Sequence, residues 1–207
     1  VQDIDLDQLR SWKDSVVENL TAGVGQLVKQ RGIEYVQGIA ELVDRNHAKV
    51  TVEGQEPMEM PFEQAILAPG SRPGTLPNLP ESKLIMNSQQ ALDIPDVPGE
   101  LLVVGAGYIG LELGQVYAAL GASVTVVEML PDILPTADAD LVRFLKRRVN
   151  RQFKNVRTGT KVARMGEEDG RIRAVFEGEH EGQELFDKVM VAVGRSPNCD
   201  GLGLDNT

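Results

Sequence analysis

The stretch from Leu101 to Glu128, LLVVGAGYIGLELGQVYAALGASVTVVE, constrains the fold more than any other part of the chain. It reads as strand, glycine turn, helix and second strand closing on an acid, the layout of a dinucleotide-binding β-α-β unit. Leu101 to Val104 is a continuous apolar run, as a parallel strand covered on both faces requires. Gly105 permits the tight turn, Gly107 lets the backbone approach a pyrophosphate, and Gly110 lets the helix pack closely on the strand. The turn from Gly105 through Ala106, Gly107, Tyr108 and Ile109 to Gly110 opens the helix, where free N–H groups and the helix dipole favour an anion. Helical spacing of Ile109, Leu113, Val116, Tyr117 and Leu120 predicts an apolar side for that helix, with Gly121 as its stop. Val124 to Val127 is the second strand, and Glu128 ends it. An acid at this distance from the glycines can accept hydrogen bonds from the adenosine ribose hydroxyls. It repels a 2′-phosphate, and Met129-Leu130-Pro131-Asp132 supplies no arginine to bind one, so NAD(H) is favoured over NADP(H).

A chain of 207 residues suits one large or two small domains. Its 42% hydrophobic and 25% charged residues fit an ordinary soluble globular protein. The net charge of −10 argues against nucleic acid or an anionic membrane as a partner, while leaving room for a local basic site. No apolar run approaches the roughly 20 residues needed to cross a bilayer and no signal-peptide pattern opens the chain, so the expected compartment is the cytoplasm. Cys199 is the only cysteine, which excludes an intramolecular disulfide and any multi-cysteine metal site.

Ahead of the glycine turn, residues 3–31 read as one amphipathic helix through Leu9, Trp12, Val16, Leu20, Val24, Leu27 and Val28, capped at Asp7 and packed on something larger. Short strands are expected at Ile33–Val36, Ile39–Val43, Ala48–Val52 and Met58–Met60 leading into Phe62–Leu67, together forming a small antiparallel sheet. Pro69–Pro80 reads as a turn-rich connection, and the proline-containing Asp93–Gly99 as the domain boundary. Beyond Glu128, a basic-faced helix over Asp138–Phe153 has Leu141, Phe144, Leu145 and Val149 on its apolar side. Further strands are expected at Lys161–Met165, Arg171–Phe176 and Lys188–Val193. Ala65–Pro73 and Val189–Asn198 each place an apolar strand before a glycine and a polar-basic turn ending near a proline, which together with the glycine turn suggests two nucleotide sites.

Five segments, in order, resemble the flavin-dependent pyridine nucleotide-disulfide oxidoreductases: DIDLDQLRSWKDSVVENLTAGV, QGIAELVD, AILAPGSRP, GAGYIGLELG and VAVGRSPN. The match covers essentially the whole chain and is closest to the branch that oxidises dihydrolipoamide. It implies an α/β fold: a Rossmann-like NAD-binding domain with a parallel sheet and a small antiparallel sheet over residues 99–207, and an incomplete FAD-binding portion over residues 1–98. Ala40, Ala68, Gly70 and Ser71 would line FAD, mostly through backbone. Gly105, Gly107, Gly110 and Glu128 would bind NAD, joined by Val162 near the adenosine and by Ala192, Gly194 and Arg195 near the nicotinamide. Tyr108 and Glu112 match residues beside the nicotinamide, where the family's acid pairs with a lysine of the flavin domain. Tyr108 departs from the small aliphatic residue usual in that branch and is similar to the gating tyrosine of glutathione reductases. Pro69 also departs, and it removes a backbone N–H donor.

In this family a C-x-x-x-x-C disulfide accepts electrons from the thiol substrate, FAD relays them and NAD⁺ receives a hydride. The chain has no cysteine pair, no second glycine-rich turn for the FAD pyrophosphate, no later flavin-binding Gly-Asp segment and no dimerisation domain. The resemblance therefore implies an internal fragment, inactive and without FAD when alone, from a homodimeric parent that meets the lipoyl domain of a 2-oxoacid dehydrogenase complex. Within the family, an NADH oxidase, a mercuric reductase or another disulfide reductase is the competing reading; outside it, a stand-alone nucleotide-binding module without catalysis.

Other candidate sites are weaker. Asp3, Asp5 and Asp7 imitate a calcium loop, but Gln8 stands where glycine is needed and Asp14 where glutamate is needed. His47 and His180 lack a metal-ligand pattern, and Cys199, after a proline turn, reads as an ordinary thiol rather than a nucleophile. Lys146, Arg147, Arg148, Arg151 and Lys154 read as a solvated helix face offset by Glu167, Glu168 and Asp169.

Overall fold

Asp5, not Asp7, starts the first helix in the computed structural model, which describes residues 4–207. The Asp5 carboxylate accepts the N–H groups of Asp7 and Gln8, each at 3.0 Å, satisfying two of the donors that a helix start leaves open. Asp7 sits inside the first turn and pairs with Arg10. Helix α1 (Leu6–Gln30) buries none of its side chains, so the expected apolar stripe, from Trp12 through Leu20 to Val24, stands exposed. Asp3, the first carboxylate of the calcium-like pattern, lies outside the described residues.

Strands β1 (Ile39–Leu42), β2 (His47–Thr51) and β3 (Met58–Pro61) form the expected antiparallel sheet in that order. Leu42 and Val50 are its buried side chains. Leu42 is held further by hydrogen bonds to Leu202 and Asn206. Ile33–Val36 and Phe62–Leu67 are not strands. Apolar residues there have no neighbouring strand to take their backbone groups, and Tyr35 and Ile66 are 75% and 96% exposed. The motif around Gly70 therefore differs from its expected form: the strand is β4 (Ser71–Pro73), which follows the glycine.

The parallel sheet begins before the glycine turn, with β5 (Ile85–Asn87) and the short helix α2 (Ser88–Leu92), neither expected from the sequence. Asn87 caps α2 reciprocally with Gln90. Then come β6 (Glu100–Val104), α3 (Tyr108–Leu120), β7 (Ser123–Val127), α4 (Ala139–Gln152) and β8 (Asn155–Arg157). The meander β9 (Thr160–Glu168), β10 (Arg171–Gly178) and β11 (Gly182–Phe186) follows, then β12 (Lys188–Val191) and β13 (Arg195–Pro197). Strand order in the parallel sheet is β5-β12-β6-β7-β8, so β6 is central.

Alternation along β6 divides the core. Leu101 and Val103 join Leu111, Tyr117, Val142, Val149 and Phe153 on the helical face. Leu102 and Val104 join Ile172, Ala174, Phe176 and Phe186 of the meander on the other face. Gly121 ends α3 in the left-handed region at φ 113°, as expected. The apolar side of α4 is corrected: Val142 and Val149 are buried and Leu145 is half-buried, whereas Leu141 and Phe144 are 65% and 61% exposed. The cations pair elsewhere than expected, Lys146 of α4 with Asp132 and Lys154, just beyond the helix, with Glu100, while Glu168 pairs with Arg173.

The described residues form two compact units, one of residues 11–72 with 197–207 and one of residues 73–196 together with 4–10. Within the second unit β5 pairs with β12 and α2 packs on α3. Among the described residues, no helix is long and apolar enough to cross a membrane.

Tyr117 ties α3 to α2. Fully buried, its hydroxyl donates to the Ala91 carbonyl at 3.0 Å. Burial, reinforced by the negative charges of Asp96 and Asp93, pushes its pKa from 10.0 up to about 12. In the unfolded chain the phenol ionises near 10, so below that pH its contribution is complete, and it is lost as pH rises toward about 12. We expect Tyr117→Phe to cost about 1 kcal/mol at neutral pH and to flatten the fall in stability between those values. Denaturant titrations of both proteins at a series of alkaline pH values check this; identical alkaline slopes would refute it.

Candidate dinucleotide-binding site

A cavity of about 960 Å³ opens where the carboxyl ends of β6, β7 and β12 meet. Such crevices are where open parallel sheets receive ligands. The turn is assembled from three sides: the Gly105 N–H donates to the Val127 carbonyl and the Ala192 N–H to the Val104 carbonyl, both at 2.8 Å. Gly105 adopts φ 104°, and a Cβ there would lie 2.4 Å from the Ala192 carbonyl oxygen. A Cβ on Gly110 would lie 2.1 Å from the Gly105 carbonyl oxygen, so the third glycine lets α3 press against the turn itself as well as the strand.

Gly107 differs from both. Its φ of −71° is open to any residue, and a Cβ would meet no protein atom within 4 Å. The space beside it belongs to the cavity. Among the described residues no acceptor takes the N–H groups of Gly107, Tyr108 and Ile109, which stand at the start of α3 as donors for an anion. The Ala106 N–H, by contrast, is taken by Glu128 Oε2 at 2.8 Å, while Glu128 Oε1 accepts the Leu130 N–H at 2.9 Å.

Of the residues singled out in the sequence, Gly105, Gly107, Tyr108, Ile109, Glu128, Val162, Ala192, Gly194 and Arg195 all line this cavity. Ala106 and Gly110 are buried behind the turn, and Glu112 is exposed one turn farther along α3. Ala40, Ala68, Gly70 and Ser71 do not line it. The first three are exposed, and Ser71 is half-buried at the start of β4. Gly70 has φ 74°, and its carbonyl accepts the Asn198 N–H.

Three walls were not read from the sequence. Leu76–Leu79 carries Asn78 in the left-handed region at φ 59°; β9 contributes Lys161 and Ala163–Met165; and Leu134–Thr136 follows Glu128. Asp132, in the loop before Leu134, has its carboxyl held below the usual range by the Lys146 ammonium and the Ile133 N–H. Among the described residues, no group of three or more His, Cys, Asp or Glu could hold a metal. His47 bonds to Asp44, and Cys199 is exposed.

The family profile described as pyridine nucleotide-disulphide oxidoreductase matches residues 3–207. The chain belongs to this family. It is 40% identical over 208 residues to a dihydrolipoyl dehydrogenase of Haloferax volcanii, covering 98% of this chain and 44% of that protein. It is 38% identical over 203 residues to the dihydrolipoyl dehydrogenase of Geobacillus stearothermophilus, covering 98% and 43%. The chain thus spans less than half the length of these relatives. In fold it is similar to LpdA of Mycobacterium tuberculosis, with TM-score 0.86 at 23% identity over 100% of this chain and 46% of that one. A hypochlorous-acid-induced flavoprotein disulfide reductase of Escherichia coli gives TM-score 0.81 at 24% identity, with the same coverage.

Gly107 and Gly110 should separate folding from binding. Gly107→Val should change stability by less than about 1 kcal/mol, because its side chain enters open space. Gly110→Ala should cost about 3 kcal/mol, because backbone blocks the new methyl. Thermal unfolding of the two variants tests the contrast, and equal losses would contradict it.

Proposed function

We propose that this cavity binds NAD(H) and that the chain is the nucleotide-binding portion of a dihydrolipoyl dehydrogenase. The observation that carries the first part is the meeting, in one cavity, of acceptor-free N–H groups at the start of α3 with a carboxylate fixed at the end of β7. In this reading Gly107, Tyr108 and Ile109 hold the pyrophosphate through their N–H groups, with Gly105 and Gly110 shaping the turn. Glu128 accepts from the ribose hydroxyls, Val162 flanks the adenosine, and Ala192, Gly194 and Arg195 lie toward the nicotinamide, with Tyr108 and Glu112 as its supporting residues. Bound there, the nicotinamide supplies a hydride acceptor, and this chain supplies binding and orientation.

The second part rests on family membership and on the relatives' shared identity across nearly the whole chain. The parent reaction would oxidise dihydrolipoamide to lipoamide and reduce NAD⁺ through a redox disulfide and FAD. Cys199 alone cannot form that disulfide. The parent is read as a cytoplasmic homodimer that meets the lipoyl domain of a 2-oxoacid dehydrogenase complex, with residues 1–98 carrying flavin-binding parts and 99–207 the NAD domain. Ala40, Ala68, Gly70 and Ser71 are the flavin contacts in this reading; Pro69 offers no N–H, and its carbonyl is already bonded to the Asn198 side chain. A different disulfide reductase of the same family is the second reading, favoured by Tyr108, which is 62% exposed and lines the cavity.

Isothermal titration of the 207-residue polypeptide should show NADH binding, with NADPH at least about tenfold weaker through repulsion at Glu128. Gly107→Val should abolish NADH binding, and Glu128→Ala should narrow the preference; an unchanged dissociation constant in Gly107→Val would sink the assignment. The same polypeptide should purify without colour and show no disulfide turnover, and a bound flavin spectrum would contradict this.

A further inference from the structure

The residue after Ile133 has a backbone that leucine rarely adopts. Leu134 has φ 47°, in the left-handed region where a side chain crowds the following carbonyl. Pro135 disfavours the right-handed alternative at the residue before it. The surroundings hold the conformation: Ile133 is fully buried, its N–H is bonded to Asp132, and Asp132 pairs with Lys146 on α4. The Leu134 carbonyl accepts the Ala137 N–H at 2.9 Å. Strain over-determined in this way marks a position whose geometry is used.

Its use is visible at the turn. The Leu134 N–H donates to the Ala106 carbonyl at 3.0 Å, across the peptide whose other end is the Gly107 N–H. In a planar trans peptide the C=O and N–H point in opposite directions, so a donor fixing the Ala106 carbonyl also aims the Gly107 N–H. The preceding peptide is fixed in the same way, its Ala106 N–H held by Glu128 Oε2. Ala106 is fully buried while Gly107 lines the cavity, so the peptide is held at its buried residue and the Gly107 N–H, opposite the clamped carbonyl, is left for a ligand.

We propose that Leu134, through its backbone N–H, is a positioning residue for the anion received at the glycine turn, acting with Glu128 to aim the Gly107 N–H before ligand arrives. This rests on the nucleotide reading of the cavity and adds to it a residue outside the glycine motif. The clamp acts on the phosphate contact, so its loss should weaken ligands that carry a pyrophosphate and spare those that do not.

The decisive variant replaces the Ile133–Leu134 amide by an ester, which removes this N–H and keeps every side chain. NADH and ADP-ribose should then bind about tenfold more weakly, while adenosine changes less than about twofold. Weakening of all three ligands alike, or unchanged NADH affinity in the folded ester protein, overturns the proposal. Should the ester protein fail to fold, amide exchange and ¹⁵N shifts of the unmodified protein decide. A Leu134 N–H exchanging at least about 100-fold slower than in an unstructured chain, with a Gly107 resonance that moves on adding ADP-ribose, supports the clamp. An unprotected Leu134 N–H refutes it. If the unmodified protein binds neither NADH nor ADP-ribose, the nucleotide reading itself fails and the proposal with it.

Discussion

The contact on which the rest of the architecture depends is the approach of α3 to the end of β6, where Gly110 lies against the Gly105 carbonyl. Because no side chain separates helix from turn, the first N–H groups of α3 are carried to the carboxyl ends of the parallel strands. The same approach brings Leu111, Leu113 and Tyr117 onto the helical face of the sheet. One close backbone contact therefore serves both the core and the cavity. It also explains why Gly107, though part of the same motif, obeys a different rule: Gly105 and Gly110 answer to protein atoms, and Gly107 to the space in front of it.

The β-α-β unit was legible because its signals are local. An apolar run, a glycine turn, a helical spacing and a closing acid lie within 28 consecutive residues, and the observed elements begin and end within a residue or so of those expected. What failed depended on partners distant in sequence. β5 is a strand because β12 lies beside it, about 100 residues later, and its three residues carry too little periodicity to announce it. Phe62–Leu67 looks like a strand by composition and finds no partner. On α4, Leu141 and Phe144 share the helical spacing of the buried residues, yet the sheet is met by Val142, Leu145 and Val149. A pattern dense in apolar residues left two faces open, and packing selected one.

The cavity shows the same division. The residues expected from the glycine motif and its acid are joined by Leu76–Leu79, Leu134–Thr136 and much of β9, which only the folded chain brings together. A signal for the second of these was present: proline follows Leu134 and restricts it, although sequence alone does not show that Leu134 would take the left-handed alternative. For β9 the bulge between its pairings Val162–Phe176 and Arg164–Val175 sets which residues face outward, and bulges leave little trace in apolar alternation.

The preference for NAD(H) was argued from Glu128 and the absence of an arginine directly after it, yet β9 brings two cations, Lys161 and Arg164, to the same cavity. Lys161 is paired with Glu177 at 2.9 Å on the neighbouring strand, so its charge is largely answered there. Thr160, whose N–H bonds to the Glu128 carbonyl, marks where β9 passes Glu128, and Arg164 lies four residues beyond it, past the bulge. The Glu128 carboxylate cannot easily turn aside, since each oxygen accepts a backbone N–H. An acid held at the cavity by two backbone N–H groups supports discrimination against a 2′-phosphate more firmly than a missing arginine does, because the fold fixes where its charge stands.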